Sequence, residues 1–374
     1  MKTFADLIHP VTPEAFISLR EQPLHIPAEP GAPKRSILDW ATLNRLLTQV
    51  SNWTAANLKL VHNGEPVSPD RYCIVAQTEA GPVLRPSPAK IEVLLASGAS
   101  LIADEVRDLT PDIQRLSDAL GQEFAALTGA NAYCSFGGVQ GFGTHYDLHD
   151  VFAIHCEGEK VWRLYRNRAP DPVAPPPDAD PRAYYAATRG PLVREVVMRP
   201  GDVLYLPRGW YHDALATEGA SLHLTLSVTP LYGRILFSLL EQAAMQDPAF
   251  RVWLPPSQAD EGRALSAHLA TLAERLAAIV RSPFFTDEIA MAQARLLPRP
   301  PGYTLPERVT LTRYRATGLL GPTPGGPASM AMSWAYAQPS FSLEDLCAQF
   351  DFVPEMALRL AVADAERAGA LQRL

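Results

Sequence analysis

His145-Tyr146-Asp147 places an imidazole and a carboxylate two residues apart, and on a β-strand such residues project from the same face. One metal ion can therefore meet both. A second imidazole, His212, follows an apolar run and a tight Pro207-Arg208-Gly209 turn, where a barrel can return a side chain to the same mouth. Two neutral imidazoles and one carboxylate cover one face of an octahedral ion and leave up to three positions open for a bidentate co-substrate and dioxygen. That donor set belongs to non-haem iron(II) chemistry. His149 and His155 compete for the ligand role, but neither stands in a His-x-Asp relationship, so both read as structural. His223 sits in a later strand pattern and faces the interior, while His9, His25, His62 and His268 read as ordinary polar residues.

The elements that must hold this constellation are legible as changes of period. Gly137 to Gly143, just before His145, supplies glycines that let backbone approach a ligand closely. Short apolar runs follow one another at Ala132–Phe136, Val151–His155, Val161–Tyr165, Val203–Leu206 and Leu222–Val228, a series that predicts a β-sandwich or barrel. Between the third and fourth runs, the prolines of Ala169–Pro177 forbid a regular ladder and predict an exposed loop near the barrel mouth. Helical patterns flank the series. Trp40–Leu47 lies in a Pro-rich covering layer, and Ile113, Leu116, Leu120, Phe124 and Leu127 predict a helix over 112–128. After Pro230 the strand signal ends, and residues 231–298 read as helices, notably Leu265–Val280. Pro298–Gly302 marks a break before a tail with helices at Leu343–Phe350 and Pro354–Ala368. Trp162 and Trp210 are candidates for the border of a substrate groove, with aromatic packing the favoured reading.

Composition narrows the function. No apolar run approaches the roughly 20 residues that span a bilayer. The N-terminus carries Asp6 and no long apolar stretch, which argues against secretion, and Cys73, Cys134, Cys156 and Cys347 form no close pair. These features predict a cytoplasmic protein with reduced thiols and no membrane partner. A formal charge of −7 argues against nucleic acid and favours a basic protein or peptide. The tail from Gly302 carries six arginines against seven acids, too even a balance for a phosphate-binding surface.

The segments His145–Tyr165, Pro200–Ala214 and Ser221–Val228 resemble the Jumonji-C (JmjC) domains of the ribosomal oxygenases, within the cupin superfamily, and a looser similarity of order spans residues 20–230. The resemblance implies an α+β fold: a double-stranded β-helix core with flanking helices over residues 1–230, a helical dimerisation-like module over 231–298 and a winged-helix-like unit over 299–374. The family's metal ligands fall on His145, Asp147 and His212, and its lysine for the distal carboxylate of 2-oxoglutarate falls on Lys160. Asn131 and Tyr133 match pocket-lining positions, and Ser227, with Thr225 on the same face, matches the serine after the second histidine. Elementary chemistry agrees for Lys160, since a dicarboxylate chelating a metal at one end needs a fixed cation at the other.

The implied activity is that of an Fe(II)- and 2-oxoglutarate-dependent oxygenase using O2, a protein hydroxylase acting on histidine or arginine of a ribosomal protein, and working as a homodimer. Two alternatives stay open from sequence: the same chemistry on another peptide or small molecule, and a non-catalytic cupin-like scaffold. The complete triad together with Lys160 argues against the scaffold.

Overall fold

From Ala126 to Pro230 apolar side chains recur at alternate positions, and in the computed structural model these stretches are strands whose two faces serve different layers. The structure describes residues 3–31, 33–136, 140–176, 180–216, 219–297 and 311–374. Contacts divide the chain into two units, Met1–Thr229 and Pro230–Leu374.

The first unit contains β1 (Leu24–Ile26), β2 (Leu58–His62), β3 (Glu65–Pro66), β4 (Cys73–Thr78), β5 (Gly81–Pro86), β6 (Ser100–Ala103), β7 (Ala126–Ser135), β8 (Gln140–His145), β9 (Asp150–Glu157), β10 (Lys160–Arg168), β11 (Leu192–Met198), β12 (Val203–Leu206), β13 (Trp210–Ala216) and β14 (Ser221–Pro230). One sheet runs in the order β1-β12-β9-β14-β7-β6-β2-β3, a second in the order β11-β10-β13-β8, and β4 with β5 forms a separate hairpin. From β7 onward the chain passes back and forth between the two sheets, as a double-stranded β-helix requires. The covering helices are α1 (Phe4–Ile8), α2 (Pro13–Leu19), α3 (Trp40–Leu47), α4 (Pro88–Ala96), α5 (Pro111–Phe124) and α6 (Pro181–Thr188).

Alternation assigns each strand face. In β14, Leu222, Leu224, Leu226 and Val228 point into a core shared with Phe152, Ile154 and Tyr205 of the same sheet and with Leu7, Phe16, Leu43, Leu116 and Leu120 of the helices. His223, Thr225 and Ser227 face the opposite way, into a cavity. In β9 and β12, Val151, Ala153, Leu204 and Leu206 meet Trp162, Leu164, Val196 and Met198 of the smaller sheet. A slip of one residue would carry four buried aliphatic groups of β14 out of the core at about 1.5–3 kcal/mol each, so register is firmly fixed.

The helix predicted over 112–128 is shorter than its pattern. Thr110 caps its start by accepting from the Ile113 N–H, and Pro111 supplies a favourable first residue. It stops at Phe124 because Ala125 turns left-handed, φ 45°, and the chain becomes β7. Leu127, counted in the helical stripe, is 58% exposed on that strand. The segment after Ala169 is irregular as far as Pro176, with Pro177 outside the described residues, but it leads into α6 and β11, which the strand series had not included. Trp40–Leu47 is α3 as expected.

In the second unit, α7 (Ile235–Ala244), α8 (Arg263–Val280) and α9 (Pro283–Ala294) precede a separate core. There β15 (Arg313–Ala316), α10 (Ala328–Ala337), β16 (Phe341–Ser342), α11 (Leu343–Gln349), α12 (Glu355–Arg367) and β17 (Leu371–Arg373) form a three-stranded sheet, ordered β16-β15-β17, with helices packed around Met332, Phe341, Leu346, Leu358 and Val362. The break read at Pro298–Gly302 lies outside the described residues. Among the described residues no helix is long and apolar enough to cross a membrane.

The turn from β9 to β10 depends on Gly158. Its φ is +70°, and an added Cβ would stand 1.9 Å from the Ala220 carbonyl oxygen. Gly158→Ala is predicted to destabilise the protein by about 1–3 kcal/mol or more, read as a lower midpoint in thermal denaturation.

Candidate metal centre

Antiparallel pairing of β8 with β13 sets His145 directly opposite His212. The strand expected to carry both His145 and Asp147 ends at His145, and Asp147 lies in the connection to β9. Asp147 is held there by its own backbone: the Gly209 N–H donates to the Asp147 carbonyl at 2.9 Å, tying it to the turn that precedes His212. Gly209 has φ +83°, the left-handed conformation that glycine adopts without strain.

The three side chains converge. One ligand atom from each of His145, Asp147 and His212 lies within 4.8 Å of the others. His145 Nε2 is 3.9 Å from Asp147 Oδ1, and His212 Nε2 is 3.6 Å from Asp147 Oδ2. The far ring nitrogens are occupied: His145 Nδ1 is 2.9 Å from the Gly143 carbonyl and His212 Nδ1 is 2.9 Å from the Trp210 carbonyl. Each Nδ1–H donating to a carbonyl fixes the tautomer that leaves the Nε2 lone pair free toward the centre. Burial pushes His212 down to about 4, with His145 adding to the shift and Asp147 opposing it. Burial alone would raise the Asp147 carboxyl, but His145, His212 and His149 together bring it below its ordinary value. Two neutral imidazoles and an anionic carboxylate are the donor set that a divalent ion with open positions takes, so the residues fit an iron(II) site.

The triad stands at a cavity of about 310 Å³ walled by both sheets. Lys160, at the start of β10, faces into it and is only 5% exposed. Its Nζ donates to Ser135 Oγ at 3.4 Å, Ser135 pairs with Ser100 at 3.0 Å, and among the described residues no carboxylate reaches Lys160. Burial therefore lowers the Lys160 ammonium to about 8. A buried cation served by one long hydrogen bond is a strong sign of an anionic ligand.

Asn131, Tyr133, Thr225 and Ser227 line the same cavity. The Asn131 side chain accepts from the Glu105 N–H at 3.1 Å, which orients its amide, and Ser227 Oγ accepts from the Gly129 N–H at 3.1 Å. Tyr133 is pushed up to about 12 by burial and is thus a neutral hydroxyl. The eight residues singled out in the sequence are all brought to one cavity.

Other cavity residues carried weaker signals or none. His223 is buried and lies flat on Tyr133, ring centroids 4.8 Å apart, with no hydrogen-bond partner for Nδ1. Its signal was present in the His223, Thr225, Ser227 alternation. Ser100 and Ser135 carried none. Trp162 is buried against His212 and His223 and also forms cavity wall. His149 lines the cavity, whereas His155 is fully buried with Nε2 3.0 Å from the Gly158 carbonyl.

Residues 105–234, which carry the two imidazoles and the carboxylate, match the JmjC domain. Residues 105–234 thus carry a JmjC domain, and proteins named ribosomal oxygenase are among the chain's relatives. Ribosomal oxygenase 1 of Rattus norvegicus is 33% identical over 211 residues, covering 52% of this chain and 34% of the relative. The bifunctional lysine-specific demethylase and histidyl-hydroxylase NO66 of Dictyostelium discoideum is 27% identical over 310 residues, covering 81% of this chain and 56% of the relative. The chain thus spans about a third to just over half of the length of these relatives. The solved structure of Escherichia coli ycfD shares the fold at a TM-score of 0.52 and 16% identity, covering 97% of this chain and 98% of that one.

Lys160 yields a stability prediction whose sign follows from linkage. Its folded-state value lies below the 10.5 of an ordinary lysine, so the unfolded chain binds more protons between about pH 8 and 10.5 and the ligand-free protein gains stability as pH rises through that window. Lys160→Met, which keeps the apolar stem and removes the charge, is predicted to raise the melting temperature of the ligand-free protein at pH 7. The advantage should shrink toward pH 10.5 in a scanning-fluorimetry series.

Proposed function

We propose that this protein is an Fe(II)- and 2-oxoglutarate-dependent oxygenase that hydroxylates a histidine or arginine side chain of a ribosomal protein. The single observation that carries the reading is one cavity holding both a His-Asp-His cluster and a buried, carboxylate-free lysine. The similarity to proteins named ribosomal oxygenase and histidyl-hydroxylase supports the substrate class.

In this reading His145, Asp147 and His212 hold the iron through Nε2, a carboxylate oxygen and Nε2. Bound there, iron(II) would supply activation of O2, the oxidant, one oxygen atom entering a substrate C–H bond and the other entering 2-oxoglutarate as it is converted to succinate and carbon dioxide. Lys160 pairs with the distal carboxylate, relieving its own burial, while Ser135 shares the ammonium. Asn131, Tyr133, Thr225 and Ser227 supply neutral polar contacts along the wall, and Trp162 keeps the floor dry. None adds a second negative charge beside the anion.

The second unit has roles of its own in this proposal. The eighteen residues of α8 bury none of their side chains, and Phe237 and Trp253 are 77% and 95% exposed, so residues 230–297 offer an apolar face suited to a second copy. The three-stranded sheet with three helices over 311–374 is winged-helix-like, and its near-balanced charge suits a protein partner over nucleic acid. The overall charge of −7 suits a basic ribosomal protein, and four unpaired thiols suit the reducing cytoplasm.

Two predictions follow from these assignments. His145→Ala, Asp147→Ala and His212→Ala should each abolish tight iron binding and succinate release with ribosomal-protein peptides, whereas Lys160→Ala should keep the iron and lose 2-oxoglutarate affinity by more than tenfold. Full iron occupancy and turnover in Asp147→Ala would reject the triad, and unchanged co-substrate affinity in Lys160→Ala would reject that role. Phe237→Ser with Trp253→Ser should convert a dimer to monomers in sedimentation analysis; a wild-type monomer would sink the dimer assignment.

A further inference from the structure

On the outer side of the small sheet, away from the cavity, lies a polar network that the metal chemistry does not use. Thr144 directly precedes His145 and Asp213 directly follows His212, and both side chains point opposite to the ligands. Thr144 Oγ1 donates to Asp213 Oδ2 at 2.8 Å, and the Tyr165 hydroxyl donates to the same oxygen at 2.6 Å. Arg189, the residue closing α6, donates through Nη1 to Thr144 Oγ1 and to the Tyr165 hydroxyl, each at 2.8 Å, with its guanidinium 4.4 Å over the Tyr165 ring. Asp213 is 2% exposed, and Arg189 and Arg163 stand 4.0 and 3.9 Å from its two oxygens.

This network sits where the ladder between the two ligand strands fails. His212 pairs with His145 but Ala214 pairs with Phe142, so Asp213 alone faces two residues, Gly143 and Thr144. Such a bulge removes regular backbone pairing and re-aims the neighbouring side chain. The carbonyl that fixes the His145 tautomer belongs to Gly143, inside the bulge. The His145–His212 pair therefore stands at the edge of an interrupted ladder, and the bond from Thr144 to Asp213 spans the gap beside it.

We propose that Thr144 and Asp213, locked by Tyr165 and Arg189, form a positioning clasp that fixes the bulge between β8 and β13, holds His145 and His212 at the separation an ion requires, and thereby sets metal affinity. The inference rests on reading His145, Asp147 and His212 as metal ligands. None of the four clasp residues touches the cavity, so their effect is exerted through the ligands. Loss of interactions that orient ligands weakens metal binding by about 10–100-fold.

The test is titration of Co(II) into the full-length protein, with visible absorption reporting ligand geometry. Thr144→Val preserves side-chain shape and β-propensity while deleting both hydrogen bonds of the hydroxyl; Thr144→Ser restores the hydroxyl. The expected result is binding about 10–100-fold weaker and an altered spectrum for Thr144→Val, with recovery in Thr144→Ser, and a comparable loss in Asp213→Ala if that variant folds. Wild-type affinity and spectrum in a folded Thr144→Val would overturn the clasp. Failure of the underlying reading looks different: wild-type protein would bind no Co(II), or His145→Ala would bind it as tightly as wild type.

Discussion

The structure depends on one constraint, that β7 and β14 of the larger sheet must be apolar on the face toward the helices and polar on the face toward the cavity. Leu222, Leu224, Leu226 and Val228 anchor β14 to the helical layer, and their fixed register turns His223, Thr225 and Ser227 inward. Strand β7 obeys the same rule, with Ala130, Ala132 and Cys134 in the core and Asn131, Tyr133 and Ser135 on the cavity. The hydrophobic effect thus aims polar groups it does not itself bury: each cavity residue is held by aliphatic neighbours one position away along the chain.

The smaller sheet works under a different rule. Its strands carry the charged chemistry, with Lys160 and Trp162 on β10 and His212 on β13 facing in, and Tyr165 and Asp213 facing out. Here side-chain hydrogen bonds on the outer face add to the apolar packing of Trp162, Leu164, Val196 and Met198 on the inner one. The aromatic group of Tyr146, Tyr185 and Tyr211 beside α6 closes the outer face with edge-on contacts at 5.2–6.1 Å.

Much of this was legible in the sequence, for physical reasons. Short apolar runs exposed five of the barrel strands, and the spacing around His145, Asp147 and His212 exposed the His-Asp-His cluster because ligand chemistry restricts residue type severely. The strand β11 escaped notice because Arg194 and Glu195 interrupt it and Leu192 and Val193 are solvent-facing, leaving only Val196 and Met198 buried. The helix α5 was drawn too long because Leu127 happens to continue a helical period into a strand. The polar floor of Ser100 and Ser135 and the network behind the ligands were illegible, since serine, threonine and tyrosine acquire meaning only from what lies across the sheet.

The carboxylate-free ammonium of Lys160 has an effect reaching beyond recognition. A fold that keeps a charge out of water without a counter-charge is least stable when empty, and an anion that supplies the counter-charge adds the free energy of its own binding to that of the folded state. At a concentration a hundred times its dissociation constant, such a ligand adds about 2.7 kcal/mol. In the reading proposed above, persistence of the folded chain would follow metabolite supply: protein starved of 2-oxoglutarate would open more often, and meet proteases more often, than protein that is saturated.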